Sequence, residues 1–182
     1  NGQEWTDEVN AENQADIAHY SNDVTGDDHF MVSVGSWSIG DEKPGLSEFD
    51  NHTKQWKGFQ FQRQGALRGV WTDGKGFFMA VGDNGMVYTK DGYQADWLYS
   101  KAPTEFNFYR IEGVSKSEVY IVGYLSIPGE PVYDQLWKYT GDEWYRLYDN
   151  QNIPESILQL GSAMDPLQSG VGDVAPYRCT VT

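Results

Sequence analysis

Short apolar runs that close on glycine recur along the chain and indicate β-strands. Three runs share this form, each ending in a Val-Gly pair: residues 30–35, 77–82 and 118–123. The intervals between the closing glycines are 47 and 41 residues, and these glycines are Gly35, Gly82 and Gly123. Apolar and polar side chains alternate in the following segments, 86–88 and 136–139, as in strands whose two faces meet different neighbours. A glycine after each run also predicts a tight turn with positive φ.

Each Val-Gly pair is followed by another strand and a turn that leads to a tryptophan. These tryptophans are Trp56, Trp97 and Trp144. Residues 67–70 and 108–111 also match at the offset of 41, so the second and third units begin with an upstream strand. Four short strands in roughly 40–50 residues is the size of a β-propeller blade. The sequence therefore predicts an all-β fold of propeller-like, repeated four-stranded units.

The repeat also divides the chain. The predicted units span residues 28–61, 66–99 and 107–148, with a degenerate fourth unit at 156–182. Residues 1–27 are polar and acidic and are interpreted as an N-terminal extension, with a loop over 21–28. Because propellers generally need four or more blades, the chain is either a compact, atypical small propeller or a segment of a larger one. The segment is the favoured interpretation.

Residues 70–148 resemble bacterial β-propeller repeats of the Asp-box (BNR) type, found in sialidase-like proteins and in photosystem assembly factors. The Asp-box turn is approximated by residues 89–92, which include Asp91, together with Trp97. The match departs from the family pattern, since aspartate and glycine are adjacent, the tryptophan is displaced and the third unit lacks the aspartate. The resemblance implies a propeller fold and no particular reaction.

Composition narrows the class of partner. The chain has 182 residues, 15% of them aromatic, which excludes a disordered acidic tail for most of its length. A formal net charge of −14 argues against nucleic acid as a partner, because no basic stripe is available to displace phosphate counterions. No apolar run approaches 18 residues, so no transmembrane helix is predicted. Cys179 is the only cysteine, which leaves a small apolar residue in a late strand or a disulfide to another chain.

Arginines are the strongest candidates for an anion site. Arg68 and Arg110 occupy near-equivalent positions of two units and could converge on one anion. The alternative is that they pair with local carboxylates such as Asp73 or Glu112. A sialidase-like hydrolase would need an arginine cluster or a carboxylate pair, and the sequence singles out neither. No catalytic residue is predicted.

Calcium is the metal that the sequence suits best, and no other cofactor is predicted. An Asn/Asp/Gly loop offers hard oxygen ligands, and its candidates are Asp23, Asp27 and Asp28. The loop lacks the register of an EF-hand, and a solvated acidic loop is the favoured interpretation.

Two insertions relative to the compact middle unit, 36–54 and 124–134, carry candidate binding residues: Trp37, Tyr124, Ile127 and Tyr133. Aromatic loops supported by proline make good protein or glycan contacts, since rigid apolar area costs little entropy on binding. The alternative is that these side chains fold back onto the protein's own core.

These observations favour a non-enzymatic protein-interaction or scaffold module that docks on another protein chain through its loops and acidic surface. The alternatives are a carbohydrate-binding, lectin-like propeller, which predicts an exposed tryptophan pocket in every blade, and a sialidase-like glycoside hydrolase. The chain begins at Asn1 without an initiator methionine, as expected of a mature protein or a segment. We expect an extracytoplasmic location: secreted, periplasmic or lumenal.

Overall fold

Twelve strands form three sheets in the part of the chain that the computed structural model describes, residues 20–37, 43–126, 128 and 132–149. The first sheet contains β1 (Tyr20–Gly26), β2 (Phe30–Ser36), β3 (Pro44–Asp50) and β4 (Gln55–Gln60). The second contains β5 (Leu67–Thr72), β6 (Phe77–Gly82), β7 (Met86–Asp91) and β8 (Leu98–Lys101). The third contains β9 (Asn107–Ser115), β10 (Glu118–Leu125), β11 (Tyr133–Tyr139) and β12 (Trp144–Asp149). In every sheet each strand pairs antiparallel with the next one along the chain. The predicted all-β fold with repeated four-stranded units is confirmed.

The second sheet is covered by apolar contacts on both faces. In β6, Phe78 and Ala80 join a core with the first sheet, whereas Met79 and Val81 join a core with the third. This is why β6 is apolar at consecutive positions, since a strand buried on both faces has no solvent side to alternate with. The first strand of the second sheet, β5, lies beside the first strands of the other two sheets, β1 and β9. The first strands of the three sheets are therefore brought together.

The repeated glycines serve a different purpose from the predicted one. Gly82 has φ −164°, which is extended backbone, and Gly123 lies within β10 without a positive φ. A Cβ at Gly82 would lie 2.1 Å from the carbonyl oxygen of Ala66, and one at Gly123 would lie 2.7 Å from Cδ1 of Phe108. The prediction of a positive-φ turn is wrong at these two positions and at Gly35, which lies within β2 without a positive φ. Glycine is needed at Gly82 and Gly123 because the preceding strand of the same sheet approaches too closely for any side chain.

Strand β1 replaces most of the loop predicted over residues 21–28. Its sequence is polar because two side chains hydrogen-bond to the backbone of the second sheet. Asn22 Nδ2 donates to the carbonyl of Leu67 at 2.7 Å, and Asp23 Oδ2 accepts from the backbone N–H of Val70 at 3.0 Å. Strand β1 thus pairs with β2 through the backbone and contacts the second sheet through side-chain hydrogen bonds, which hydrophobic periodicity cannot detect.

Several predicted features fall elsewhere than expected or outside the described residues. The first insertion, 36–54, contains β3 rather than one long loop. Ile127, Cys179 and the degenerate unit 156–182 lie outside the described residues, as does most of the N-terminal extension. Within the described ranges, no helix is long and apolar enough to cross a bilayer.

Candidate functional site

The first strand of every sheet carries a β-bulge opposite the Val-Gly pair of the second strand. In β1 the pairing skips from Ser21 to Asp23, in β5 from Leu67 to Gly69, and in β9 from Phe108 to Arg110. The extra residues of the three bulges are Asn22, Arg68 and Tyr109. A bulge re-aims the local side chains and strengthens the twist. The same irregularity therefore recurs at the same place in each repeat.

The three bulge residues line one cavity of about 300 Å³, here called the first-strand cavity. All of its lining residues belong to β1, β5 and β9, and they include Arg68 and Arg110. The structural equivalent of Arg68 is Tyr109, so Arg110 is one position beyond the matched site. The structure thus places both sequence-predicted arginines at the same recess.

Arg68 is held by a carboxylate of its own sheet. Its Nε donates to Asp83 Oδ1 at 2.7 Å and its Nη2 donates to Oδ2 at 3.0 Å, a bidentate pair. Asp83 Oδ2 also accepts from the backbone N–H of Ala66 at 2.9 Å, in the segment that approaches Gly82. Arg68 therefore pairs with a local carboxylate, as the alternative interpretation predicted, but that carboxylate is Asp83 rather than Asp73.

Arg110 carries the more accessible charge of the two arginines. Its Nη2 donates to Glu112 Oε1 at 3.2 Å, and the side chains are 46% and 66% exposed. Tyr109 and Val24 add apolar surface at the same cavity, with 37% and 56% exposure. The cavity therefore offers opposite charges, an aromatic ring and an aliphatic side chain to a ligand.

Two of the three aspartates of the calcium hypothesis accept hydrogen bonds from backbone N–H groups, and the three do not form a metal-binding group. Asp23 accepts from Val70, as described above, and Asp27 Oδ1 caps the β1–β2 turn by accepting from the N–H groups of His29 and Phe30, at 2.8 and 2.9 Å. Asp28 is exposed in the same turn. Among the residues that the structure describes, no group of three or more His, Cys, Asp or Glu side chains is placed to hold a metal ion.

The predicted loop aromatics are attached to strands. Trp37 Nε1 donates to the carbonyl of Phe59 on β4 at 3.0 Å. Tyr124 lies on β10 with its ring centroid 5.7 Å from that of Tyr109, and Tyr133 begins β11. All except the exposed Tyr109 are half-buried. The structure therefore does not gather these side chains on one projecting loop surface.

The repeated tryptophans pack within or between the sheets. Trp97 is buried, Trp56 packs against Phe49 at 5.1 Å between centroids, and Trp144 packs against Tyr139 at 5.0 Å. Asp91 is exposed, and its carboxylate binds Lys116 Nζ of the third sheet at 3.1 Å. Every tryptophan in the described part of the chain is buried or half-buried, so the exposed pocket expected of a lectin is not repeated there.

A second cavity, of about 350 Å³, lies between the first and second sheets and is called the inter-sheet cavity. It contains two buried charged residues that the sequence analysis missed, Glu48 and Lys90. No local sequence pattern pairs them, because the partners are 42 positions apart.

Two groups of the inter-sheet cavity have shifted pKa values. The backbone N–H groups of Thr53 and His52 donate to Asp50 and hold the pKa of that carboxyl below its usual range. Desolvation, followed by the charge of Asp27, raises the pKa of the Tyr93 hydroxyl. Tyr93 therefore stays a neutral donor, and Asp50 stays an acceptor, at ordinary pH.

Comparison of the chain with protein-family models and with curated proteins finds no match in either case.

Proposed function

We propose that the three sheets are consecutive blades of a β-propeller of the Asp-box type, and that the protein is a non-enzymatic interaction module that binds a protein partner at the first-strand cavity. The single observation that carries this proposal is the convergence of the three bulge residues on one recess. Because each sheet contributes its equivalent bulge residue, the recess is formed by the three sheets together and not by one of them alone. Extracytoplasmic location is part of the same proposal.

The strand order supports the propeller arrangement. Each sheet is a four-stranded meander, successive sheets pack face to face, and the first strands are neighbours. In a propeller the first strands surround the central axis and line its channel. The first-strand cavity corresponds to that channel, and the Asp-box resemblance of residues 89–92 is consistent with the same fold.

The chemistry of the first-strand cavity suits a protein surface. Tyrosine and arginine are enriched in protein interfaces, and Tyr109 and Arg110 are both accessible at this cavity. The formal net charge of −14 favours a partner with a basic surface, since long-range attraction accelerates association. A sialidase-like reaction receives less support, because Arg68 is committed to Asp83 and contributes little to a cluster for a substrate carboxylate.

The experiment uses a photo-reactive amino acid at position 109 of the full chain, irradiated in a soluble extract of the source organism. Tyr109 lies in the first-strand cavity, whereas Val114, at the far end of β9, is 77% exposed and serves as the matched control position. We expect one defined protein adduct from position 109 and none from position 114. With the purified partner, Arg110→Ala should weaken binding by about tenfold, or ~1.4 kcal/mol. Equal adducts at both positions, or none, would contradict the proposal.

A further inference from the structure

The inter-sheet cavity has the volume of a small-molecule site and a mostly polar lining. Its volume of about 350 Å³ is at the lower end of the range for such sites. One wall comes from β3 and β4 of the first sheet, and the other from β7 and residues 93–96 of the second. The inter-sheet cavity and the first-strand cavity share no lining residue, so they are separate cavities.

Two buried lining residues are charged but neutralise each other. Lys90 Nζ and Glu48 Oε1 are 2.7 Å apart, and Trp97 Nε1 donates to the same oxygen at 2.6 Å. Lys90 Nζ also lies 4.8 Å from the ring centroid of Phe30. Because the carboxylate and the ammonium group neutralise each other, the pair offers fixed dipoles rather than a net charge to a ligand.

The remaining polar lining contains both donors and acceptors. Lys57 and the amides of Gln55 and Gln94 can donate, while Asp50, Asp96 and the amide oxygens can accept. A hydroxyl group donates one hydrogen bond and accepts others, so a ligand rich in hydroxyls can satisfy both kinds of group. Apart from the Glu48–Lys90 pair, the charged lining consists of two carboxylates, Asp50 and Asp96, and one lysine, Lys57, so it disfavours an anion. The lining therefore suits a polyhydroxylated ligand without negative charge.

The lining also contains aromatic rings. Trp56 lines the inter-sheet cavity, but its Nε1 is enclosed by protein atoms and is not open to a ligand. The rings of Trp56 and Phe59 give the cavity apolar surface against which the C–H groups of a sugar ring can pack.

We infer that the inter-sheet cavity binds an uncharged saccharide of one or two rings, as a site additional to the proposed protein-binding cavity. The ligand would hydrogen-bond to Gln94 and Asp96 from the second sheet and to Gln55 on the first sheet, and its ring would pack against Trp56. Since these residues come from both sheets, an occupied cavity would also bridge the two sheets.

The test is calorimetric titration of the full chain with the methyl glycosides of glucose, galactose, mannose and N-acetylglucosamine. We expect at least one of them to saturate with a dissociation constant of order 1 mM or lower. Gln94 and Asp96 are exposed, so Gln94→Ala and Asp96→Asn should leave the thermal midpoint unchanged. Each should weaken that glycoside about fivefold or more, whereas Tyr109→Ala in the other cavity should not alter its affinity.

Three results would overturn the inference. They are no saturation by any of the four glycosides, affinity unaffected by Gln94→Ala and Asp96→Asn, and saturation only by charged sugars, with glucuronate and glucosamine as the probes. The photo-crosslinking result at position 109 does not depend on this cavity. Failure of the saccharide site and failure of the protein-binding proposal are therefore distinguishable.

Discussion

Glu48 on β3 and Lys90 on β7 form an ion pair of 2.7 Å that joins the first sheet to the second, with the side chains only 6% and 5% exposed. Trp97 Nε1 donates to the same carboxylate oxygen, so the pair is enclosed by a hydrogen bond as well as by apolar contacts. Taking two charges out of water is costly, and their mutual attraction offsets that cost only in good geometry. Replacing one partner should therefore lower the free energy of unfolding much more than replacing both.

We predict that Lys90→Met lowers the free energy of unfolding by about 3–5 kcal/mol, because it leaves the Glu48 carboxylate buried and unpaired. The double variant Glu48→Leu with Lys90→Met should regain part of that loss. Urea denaturation at neutral pH measures both. The matched control is Lys116→Met, since Lys116 and Asp91 are 57% and 66% exposed and their pair should contribute less than about 1 kcal/mol. Equal losses for Lys90→Met and Lys116→Met would show that burial of the pair is unimportant.

A second prediction concerns the close approach at Gly82. Because a Cβ there would lie 2.1 Å from the carbonyl oxygen of Ala66, Gly82→Ala must displace backbone. We expect a loss of about 3 kcal/mol or more, or no cooperative unfolding at all. Gly74 is the control, with φ +71° and no atom within 4 Å of the position that a Cβ would take, so Gly74→Ala should cost about 1–2 kcal/mol through backbone strain alone. Thermal unfolding monitored by circular dichroism gives the midpoints of Gly82→Ala and Gly74→Ala. Similar midpoints would contradict the steric explanation.

Hydrophobic periodicity predicts the strands of the second and third sheets because their apolar positions recur at a fixed offset. The same signal misses β1, since Asn22 and Asp23 attach that strand to β5 through polar side chains. The Val-Gly repeat identifies the glycine positions but not the reason that glycine is needed there. That reason is the close approach of backbone from the neighbouring strand at Gly82, which the sequence does not reveal.

The candidate site was predictable only in part. Internal repetition indicates that Arg68 and Arg110 belong to equivalent regions, and both line the first-strand cavity. The partner of Arg68 is Asp83 rather than Asp73, since the bulge in β5 changes the local register. The inter-sheet cavity depends on side chains such as Glu48 and Lys90 that are far apart in the chain, and no local pattern pairs them.

The third prediction is a pH dependence at Glu118. Hydrogen bonds from Lys138 and Tyr120 hold the pKa of Glu118 below its ordinary value of 4.5. A carboxyl with a depressed folded-state pKa contributes stability above its unfolded pKa and loses it as the pH falls through the folded value. The pKa of Lys138 is raised above 10.5, chiefly by its hydrogen bond to Glu118, so its contribution is lost as the pH rises above that range. The Glu118–Lys138 pair should therefore stabilise the fold at pH values between the lowered pKa of Glu118 and the raised pKa of Lys138.

Urea midpoints measured across pH test this for the wild type and for Glu118→Gln. We expect the wild type to be the more stable near neutral pH, and the difference to shrink as the pH falls below the ordinary glutamate range. Glu112→Gln is the control, because its carboxylate contacts Arg110 at the longer distance of 3.2 Å and is 66% exposed. A difference for Glu118→Gln that does not change with pH would exclude the carboxylate as its cause.

The fourth prediction distinguishes a structural from a binding role for Trp37. Its Nε1 donates to the carbonyl of Phe59, and its backbone N–H donates to the carbonyl of Lys43, so the residue connects the end of β2 to the start of β3 and to β4. Trp37→Phe keeps an aromatic ring but removes the donor, and we expect a loss of about 1 kcal/mol, or a fall of roughly 2–4 °C in the thermal midpoint. The control is Leu98→Ala, at a side chain that is 67% exposed and should leave the midpoint nearly unchanged. If Trp37→Phe instead retains the wild-type midpoint and abolishes the photo-crosslinked adduct at position 109, Trp37 belongs to a partner surface and its contact with Phe59 contributes little to the fold.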